Sequence, residues 1–341
     1  VAKKYLFFGS ERYTIAIMRS IEDAIKSRGD LVAWFFAGPG AEDLRHGDLL
    51  LTTVAEVKDW NPIAVITPNN TVPHFFPGVK VQTFHGFNAG KPRHIYIRGF
   101  FDLYCTTGPY DTKAFGALAK KLRYFSVVET GWPKLDYFLQ HTPTQLSPVN
   151  NPPVILYHST FSPSWSAAEI LYSEVKRLSS SGQWQWIVTL HPKMNAATIE
   201  KYKKLESEHL RFASNDNILE LFPLADVMCS DTSSALSEFL LTRKPVVTFR
   251  NRRPGPQLID IQETNQFEQA INYALSRPSE LMLAIDRFAS ELHPYRDGKS
   301  AERTLDAIDD FIAKGGKNSR KKPLNLWRKI KLCKGLKHWE I

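Results

Sequence analysis

The sequence runs to 341 residues, with 43% apolar, 23% charged and 12% aromatic side chains and a net charge of +9. That length and polarity suit two ordinary domains with cores of their own and exclude wholesale disorder. Three scattered cysteines (Cys105, Cys229 and Cys333) show no CxxC spacing, which excludes a disulfide framework and a cysteine zinc site and fits a reducing compartment.

The first apolar run, 5–8, reads as a strand and is too short for the apolar region of a signal peptide. No run of about 18 apolar residues follows anywhere, so no membrane span is expected. Further short runs at 31–36, 63–67, 80–84, 103–106 and 126–129 alternate with amphipathic stretches, clearest at 12–27 and 111–121. Such alternation is the signature of βαβ units and a parallel sheet. Residues 141–153, rich in Pro, Ser and Asn, suit neither a helix nor a central strand and read as a linker closing a first domain, 1–140. The pattern then restarts, with strands expected at 154–157, 186–190, 210–213, 226–229 and 245–249. Helices are expected at 166–179, 196–206, 218–222, 233–242, 267–275 and 300–313, the last ended by Gly315-Gly316. The fold class is therefore α/β: two Rossmann-like domains, the second over 154–313, with the active site expected in an interdomain cleft at the strand carboxyl edges.

The remaining residues, 314–341, hold ten Lys and Arg against Glu340 alone, so this tail carries the whole net charge and the body is neutral. That distribution, with no recognition motif, excludes a nucleic-acid-binding domain. A tail that mixes cations with Trp327 and Trp339 is expected to lie on an anionic membrane surface.

Three stretches carry candidate chemistry. In Val81-Gln-Thr-Phe-His-Gly86, a strand runs into His85, and Gly86 lets backbone approach a ligand. Histidine is the side chain best suited to take a proton from an alcohol near neutral pH. In Trp186-Ile-Val-Thr-Leu-His-Pro-Lys193, a second strand ends in His191, with Lys193 beyond; together they can neutralise a diphosphate without a metal. The third is the turn Ser230-Asp-Thr-Ser-Ser234 ahead of a helix carrying Glu238. A helix cap needs one such residue, whereas Ser230, Asp231, Thr232, Ser233 and Ser234 supply five, which points to phosphate oxygens, with Glu238 toward ribose hydroxyls. Thr160, in the hydroxyl cluster ending the 154–157 strand, is a further phosphate contact in this reading. No metal site and no cofactor are expected.

Taken with Gly131-Trp-Pro-Lys-Leu-Asp136, Ile155-Leu-Tyr-His-Ser-Thr160 and Asp297-Gly-Lys299, these motifs resemble the CDP-glycerol glycerophosphotransferase family, which includes the teichoic-acid primases and polymerases. The resemblance implies a GT-B arrangement and metal-independent transfer. It makes His85 the general base on the acceptor hydroxyl, puts His191 on the donor phosphates, and has the 230–234 turn hold the diphosphate. It also implies a CDP-glycerol or related CDP-polyol donor and a glycan or lipid-linked acceptor in cell-envelope polymer synthesis, at the cytoplasmic face of the membrane. Two other readings of the residues stand beside it: a GT-B glycosyltransferase or epimerase using an NDP-sugar, and a non-catalytic nucleotide-binding protein.

Overall fold

The computed structural model describes residues 1–87, 95–136, 152–213 and 218–340. The expected linker, apart from Pro152 and Pro153, lies outside the described residues. Two compact units emerge: residues 1–141 with 290–341, and residues 142–289.

The first unit is built on a six-stranded sheet in the order β2-β1-β3-β4-β5-β6, every pairing parallel. Its strands are β1 (Lys4–Gly9), β2 (Leu31–Phe36), β3 (Ala64–Thr67), β4 (Val79–Gln82), β5 (Leu103–Thr106) and β6 (Ser126–Glu129). Alternate residues of β1 feed opposite cores, as a two-residue side-chain period requires. Tyr5 and Phe7 pack with Ile17, Met18 and Ile21 of α1 (Tyr13–Ser27), while Leu6 and Phe8 pack with Val65, Phe76 and Phe115.

The second unit repeats the plan, in the order β12-β11-β10-β7-β8-β9, again wholly parallel. Its strands are β7 (Val154–Ser159), β8 (Gln185–Leu190), β9 (Leu210–Phe212), β10 (Val227–Ser230), β11 (Val246–Phe249) and β12 (Ile259–Ile261). The short apolar runs of the sequence mark all of these except β12, whose Ile-Asp-Ile carries a charge at its centre. The sequence reading also misses α2 (Val54–Trp60), held by a capping box between Thr53 and Glu56.

One expectation is corrected. The helix Ser300–Ala313 does not close the second domain; it belongs to the first unit. Ala301, Leu305 and Ile308 share one stripe, and that stripe is buried against Ile17, Val81 and Leu103. A helical stripe announces that it must be covered but not by which sheet. The chain returns through the helix Ser279–Leu292, which the sequence reading also misses.

The basic tail folds onto the first unit as well. Residues Leu326–Gly335 form a helix whose Cys333 is completely buried in the first unit's core, with Leu332 and Leu336 partly buried against it. Asn318 bonds Ser126 and Asp102, Asn325 donates to the Arg98 carbonyl, and Lys322 pairs with Asp102 at 2.7 Å. No helix among the described residues is long and apolar enough to cross a membrane.

Candidate active site

In an open parallel sheet, a crevice forms where neighbouring strands send their following helices to opposite faces. In the second unit that switch lies between β7 and β10. The residues leaving these two strands are Ser159-Thr160 and Ser230-Asp231, so topology puts two of the sequence motifs side by side.

Asp231 locks them together. Its carboxylate is wholly buried and accepts from Ser159 Oγ at 2.5 Å, Thr160 N at 3.1 Å and Ala167 N at 3.0 Å. The sequence reading counts Asp231 among the donor contacts; the structure instead spends its oxygens on the loop that follows β7. Burial pushes the carboxyl up from its ordinary value, against the pull of the Ser159, Ala167 and Thr160 hydrogen bonds. Parity explains the geometry: Ser159 and Asp231 lie on one face of the sheet, and His158 and Ser230 lie on the other.

On that other face, His158 pairs in register with Thr189, and the β7–β10 register continued by one residue sets Ser230 beside it. His158 is 3% exposed, and its Nδ1 lies 3.3 Å from the Thr189 carbonyl. That contact makes Nδ1 the protonated nitrogen and leaves Nε2 as an acceptor. Burial lowers the ring's pKa to about 4, the Thr189 carbonyl opposing and nearby His191 assisting, so the imidazole is neutral at pH 7. The hydroxyls of Thr189 and Ser230 are buried with no hydrogen-bond partner among the described residues. The sequence reading passes over His158; a histidine inside an otherwise apolar strand pattern is the only signal that marks it.

His191 follows β8 by one residue, on the same face as His158 and nearer the edge. Its backbone N–H donates to the Ser159 carbonyl. Its Nδ1 accepts from the Lys193 backbone N–H at 3.0 Å, which fixes the proton on Nε2, where it can be given to a ligand. Partial burial, and secondarily Lys193, lower its pKa from the ordinary value. The ring packs 4.4 Å from Phe161, and Lys193 Nζ sits 5.9 Å from that same aromatic ring. Thr160, His191 and Lys193 are thus brought to one edge, as the sequence predicts.

The hydroxyl turn is differently organised from the expectation. The helix read over 233–242 contracts to Ala235–Leu240, six residues, which is too short to gather much macrodipole. Ser233 Oγ accepts from Ala235 N at 3.2 Å, an ordinary capping contact, while Ser234 is exposed and makes no capping bond. Thr232 Oγ1 accepts from Arg252 N at 3.1 Å, and Asn251 Nδ2 donates to the Asp231 carbonyl at 2.8 Å. The turn is therefore braced by the loop between β11 and β12, which holds Arg250, Arg252 and Arg253 and which the sequence reading leaves aside. Glu238 is partly buried in the helix's first turn. Lys244, beyond it, donates to the carbonyls of Phe222, Pro223 and Ala225 and so serves the fold.

In the first unit, the switch lies between β1 and β3. Tyr13, opening α1, donates its hydroxyl to Asn69 Oδ1 at 3.1 Å, just beyond β3. Its ring lies 5.5 Å from that of His85, which stands exposed three residues past β4. The His85 loop is held from behind, where Trp132 Nε1 donates to the Phe84 carbonyl at 2.9 Å and Phe87 meets the Trp132 ring edge-on at 4.8 Å. Gly131 adopts φ +90°, and a Cβ there would fall 2.3 Å from Ser300 Oγ, so this glycine is required. Gly86 has no such need: its backbone is not left-handed, and among the described residues a Cβ there would meet nothing within 4 Å. Among the described residues no three His, Cys, Asp or Glu side chains cluster as a metal ion would need.

The family profile described as CDP-Glycerol:Poly(glycerophosphate) glycerophosphotransferase matches residues 78–310, from the start of β4 into the helix Ser300–Ala313. Among solved structures, the wall teichoic acid polymerase TagF superimposes with a TM-score of 0.63 at 16% identity, over 92% of this chain and 90% of that one. A UDP-N-acetylglucosamine 2-epimerase from Listeria monocytogenes gives a TM-score of 0.66 at 14% identity, over 95% of this chain and 100% of that one. MnaA of S. aureus, solved with UDP, gives 0.58 at 15%, over 92% and 97%. At these identities the likeness is one of fold: a GT-B-like pair of α/β domains, each with a six-stranded parallel sheet. No curated protein sequence matches the chain.

Proposed function

The chain belongs to the CDP-glycerol:poly(glycerophosphate) glycerophosphotransferase family, and from that premise we propose that it moves glycerol phosphate, or a related polyol phosphate, from a CDP-linked donor to a hydroxyl of a glycan or lipid-linked acceptor in cell-envelope polymer synthesis. The observation that carries the reading is the fixed tautomer of His191 at the edge of a unit whose switch point is lined with hydroxyls. A histidine that keeps Nε2–H directed outward is a hydrogen-bond donor to phosphate oxygen at any pH above its own titration.

The chemistry follows from these parts. His85 takes the proton of the acceptor alcohol, and the alkoxide oxygen attacks the phosphorus that bears glycerol. A new P–O bond forms to the acceptor while the bond to the bridging oxygen breaks, and the electron pair leaves on the CMP phosphate. His191 and Lys193 meet the charge gathering there, and Thr160, Thr232, Ser233 and Ser234 supply hydroxyls. Asp231 supports this surface by holding the loop after β7 rather than by contacting the donor. The fold is shared with epimerases that handle UDP-sugars, so fold alone does not choose the donor; family membership favours the CDP-linked one. The H444N variant of TagF has been soaked with CDPG, which supports the same choice.

We also place the protein at the cytoplasmic face of a membrane. The tail helix is pinned by Cys333, and its opposite side presents Trp327 (87% exposed), Lys331 and Lys334 at positions i, i+4 and i+7. A docked plate of this kind suits an anionic bilayer and a lipid-linked acceptor better than a loose tail would.

The test is incubation with CDP-glycerol and a membrane-lipid extract, reading CMP release. Wild type is expected to turn over and to be thermally stabilised by CDP-glycerol. His85→Ala should lose roughly 10²–10⁴-fold in turnover, the usual worth of a general base, while still binding the donor. Stabilisation by UDP-sugars with no CMP release from CDP-glycerol would overturn the assignment.

A further inference from the structure

The loop between β11 and β12 carries three arginines, and the structure separates their duties. Arg250 adopts φ +50° and turns back, its Nε donating to the Gln262 carbonyl at 2.8 Å and its guanidinium 3.6 Å from the Glu263 carboxylate. It is a satisfied, structural residue. Asn251 is the peg of the loop: it donates to the Asp231 carbonyl at 2.8 Å, receives Arg253 N on Oδ1 at 2.7 Å, and gives its own N–H to Asp260 at 2.8 Å.

Arg252 is placed differently. Its backbone N–H bonds Thr232 Oγ1 in the hydroxyl turn, which commits one lone pair of that hydroxyl and leaves its proton to point elsewhere. Its side chain crosses to the loop after β7, where Nη2 reaches the Ser164 carbonyl at 3.3 Å and the guanidinium lies 4.9 Å from the Trp165 ring. Among the described residues no carboxylate pairs with it. One loop thus seats two cations on two aromatic rings: Lys193 on Phe161 and Arg252 on Trp165. The same loop begins at Thr160, which Asp231 ties to the hydroxyl turn. A guanidinium has five N–H donors in a rigid fork, and a carbonyl with a ring face uses few of them. The side chain is exposed, so its remaining donors face solvent and are open to an anion.

We propose that Arg252 is a phosphate ligand of the donor half-site, binding the diphosphate of the CDP-linked donor and retaining the phosphate that leaves as CMP. The inference rests on the donor reading above and deepens it. It also supplies positive charge that the six-residue helix after the turn is too short to provide. In sequence, Arg250-Asn-Arg-Arg-Pro-Gly255 looks like a solvated loop. Only the backbone bond to Thr232 and the side-chain contacts with Ser164 and Trp165 set one of its three arginines beside both the turn and the loop after β7.

The experiment is equilibrium binding of CMP, CDP-glycerol, cytidine and inorganic pyrophosphate to wild type, Arg252→Gln and Arg252→Lys. Arg211→Gln, an exposed change on β9, controls for net charge. Arg252→Gln should weaken CMP, CDP-glycerol and pyrophosphate by about 10–100-fold, the worth of a charge-assisted hydrogen bond, and leave cytidine unchanged. Arg252→Lys should recover part of the loss, since it restores charge without the fork. Equal pyrophosphate affinity in wild type and Arg252→Gln overturns the proposal, and so does an equal loss of cytidine and CMP. If wild type binds pyrophosphate but not CMP, the cytidine donor falls while the Arg252 comparison still decides its role. If wild type binds none of the four, both fall.

Discussion

Replacing Asp231 separates a structural carboxylate from a donor ligand. Asp231→Ala strands two buried donors, Thr160 N and Ala167 N, while Ser159 Oγ can turn to Ser166 Oγ at 2.9 Å. Each stranded donor costs about 1–3 kcal/mol, but the carboxylate is itself buried at a desolvation cost and is shifted toward its neutral form. Removing it relieves that cost, so the net loss is about 3–4 kcal/mol rather than the full sum. With an m-value of about 2 kcal/mol per M for a unit of this size, the urea midpoint should fall by ~1.5–2 M. Asp231→Asn keeps one acceptor oxygen and sets an NH₂ against a donor, for a loss of about 1–3 kcal/mol. Urea unfolding followed by the fluorescence of Trp184 and Trp186, both buried in the same unit, reads the effect directly. Affinity for CMP should drop alongside stability, because the loop that carries Phe161 against His191 is released. If Asp231→Ala unfolds at the wild-type midpoint yet loses CMP affinity, Asp231 is a ligand and the reasoning is wrong.

The neutral His158 should make the second unit acid-sensitive. Its folded pKa of about 4 lies below the ordinary value of about 6.5, so the unfolded chain binds more protons between those limits. The corresponding stability is therefore intact above about pH 6.5 and is lost as pH falls toward 4, amounting to about 2 kcal/mol by pH 5. The raised Asp231 carboxyl works in the opposite direction within the same unit, so the difference between wild type and His158→Gln is what isolates the histidine. That difference should narrow from pH 7 to pH 5; parallel curves would refute it. For the tail, Trp327→Ala combined with Lys331→Glu and Lys334→Glu should abolish co-sedimentation with anionic vesicles by more than tenfold, at about 1 kcal/mol per cation, and spare the melting temperature. Unchanged sedimentation would remove the membrane plate. Deleting the segment is the poorer test, since Cys333 and Leu332 belong to the first unit's core.

The sequence by itself determined the elements and the chemistry-bearing edges. Short apolar runs marked eleven of the twelve strands among the described residues, and His85, His191 and the 230–234 turn could be placed at strand ends, because a strand's exit follows from where its apolar run stops. Only the tertiary structure decided what those residues do there. The face on which a side chain emerges depends on register with a neighbour far away in sequence, so Asp231 was indistinguishable from Thr232 until β10 lay beside β7. For the same reason the helix Ser300–Ala313 and the basic tail announced apolar surface to be covered without naming the first unit as its cover. Arg252 became a candidate ligand only when its backbone met Thr232, twenty residues upstream. Local pattern is a property of the backbone's own period; orientation and partnership are properties of contacts between segments, which no window of sequence contains.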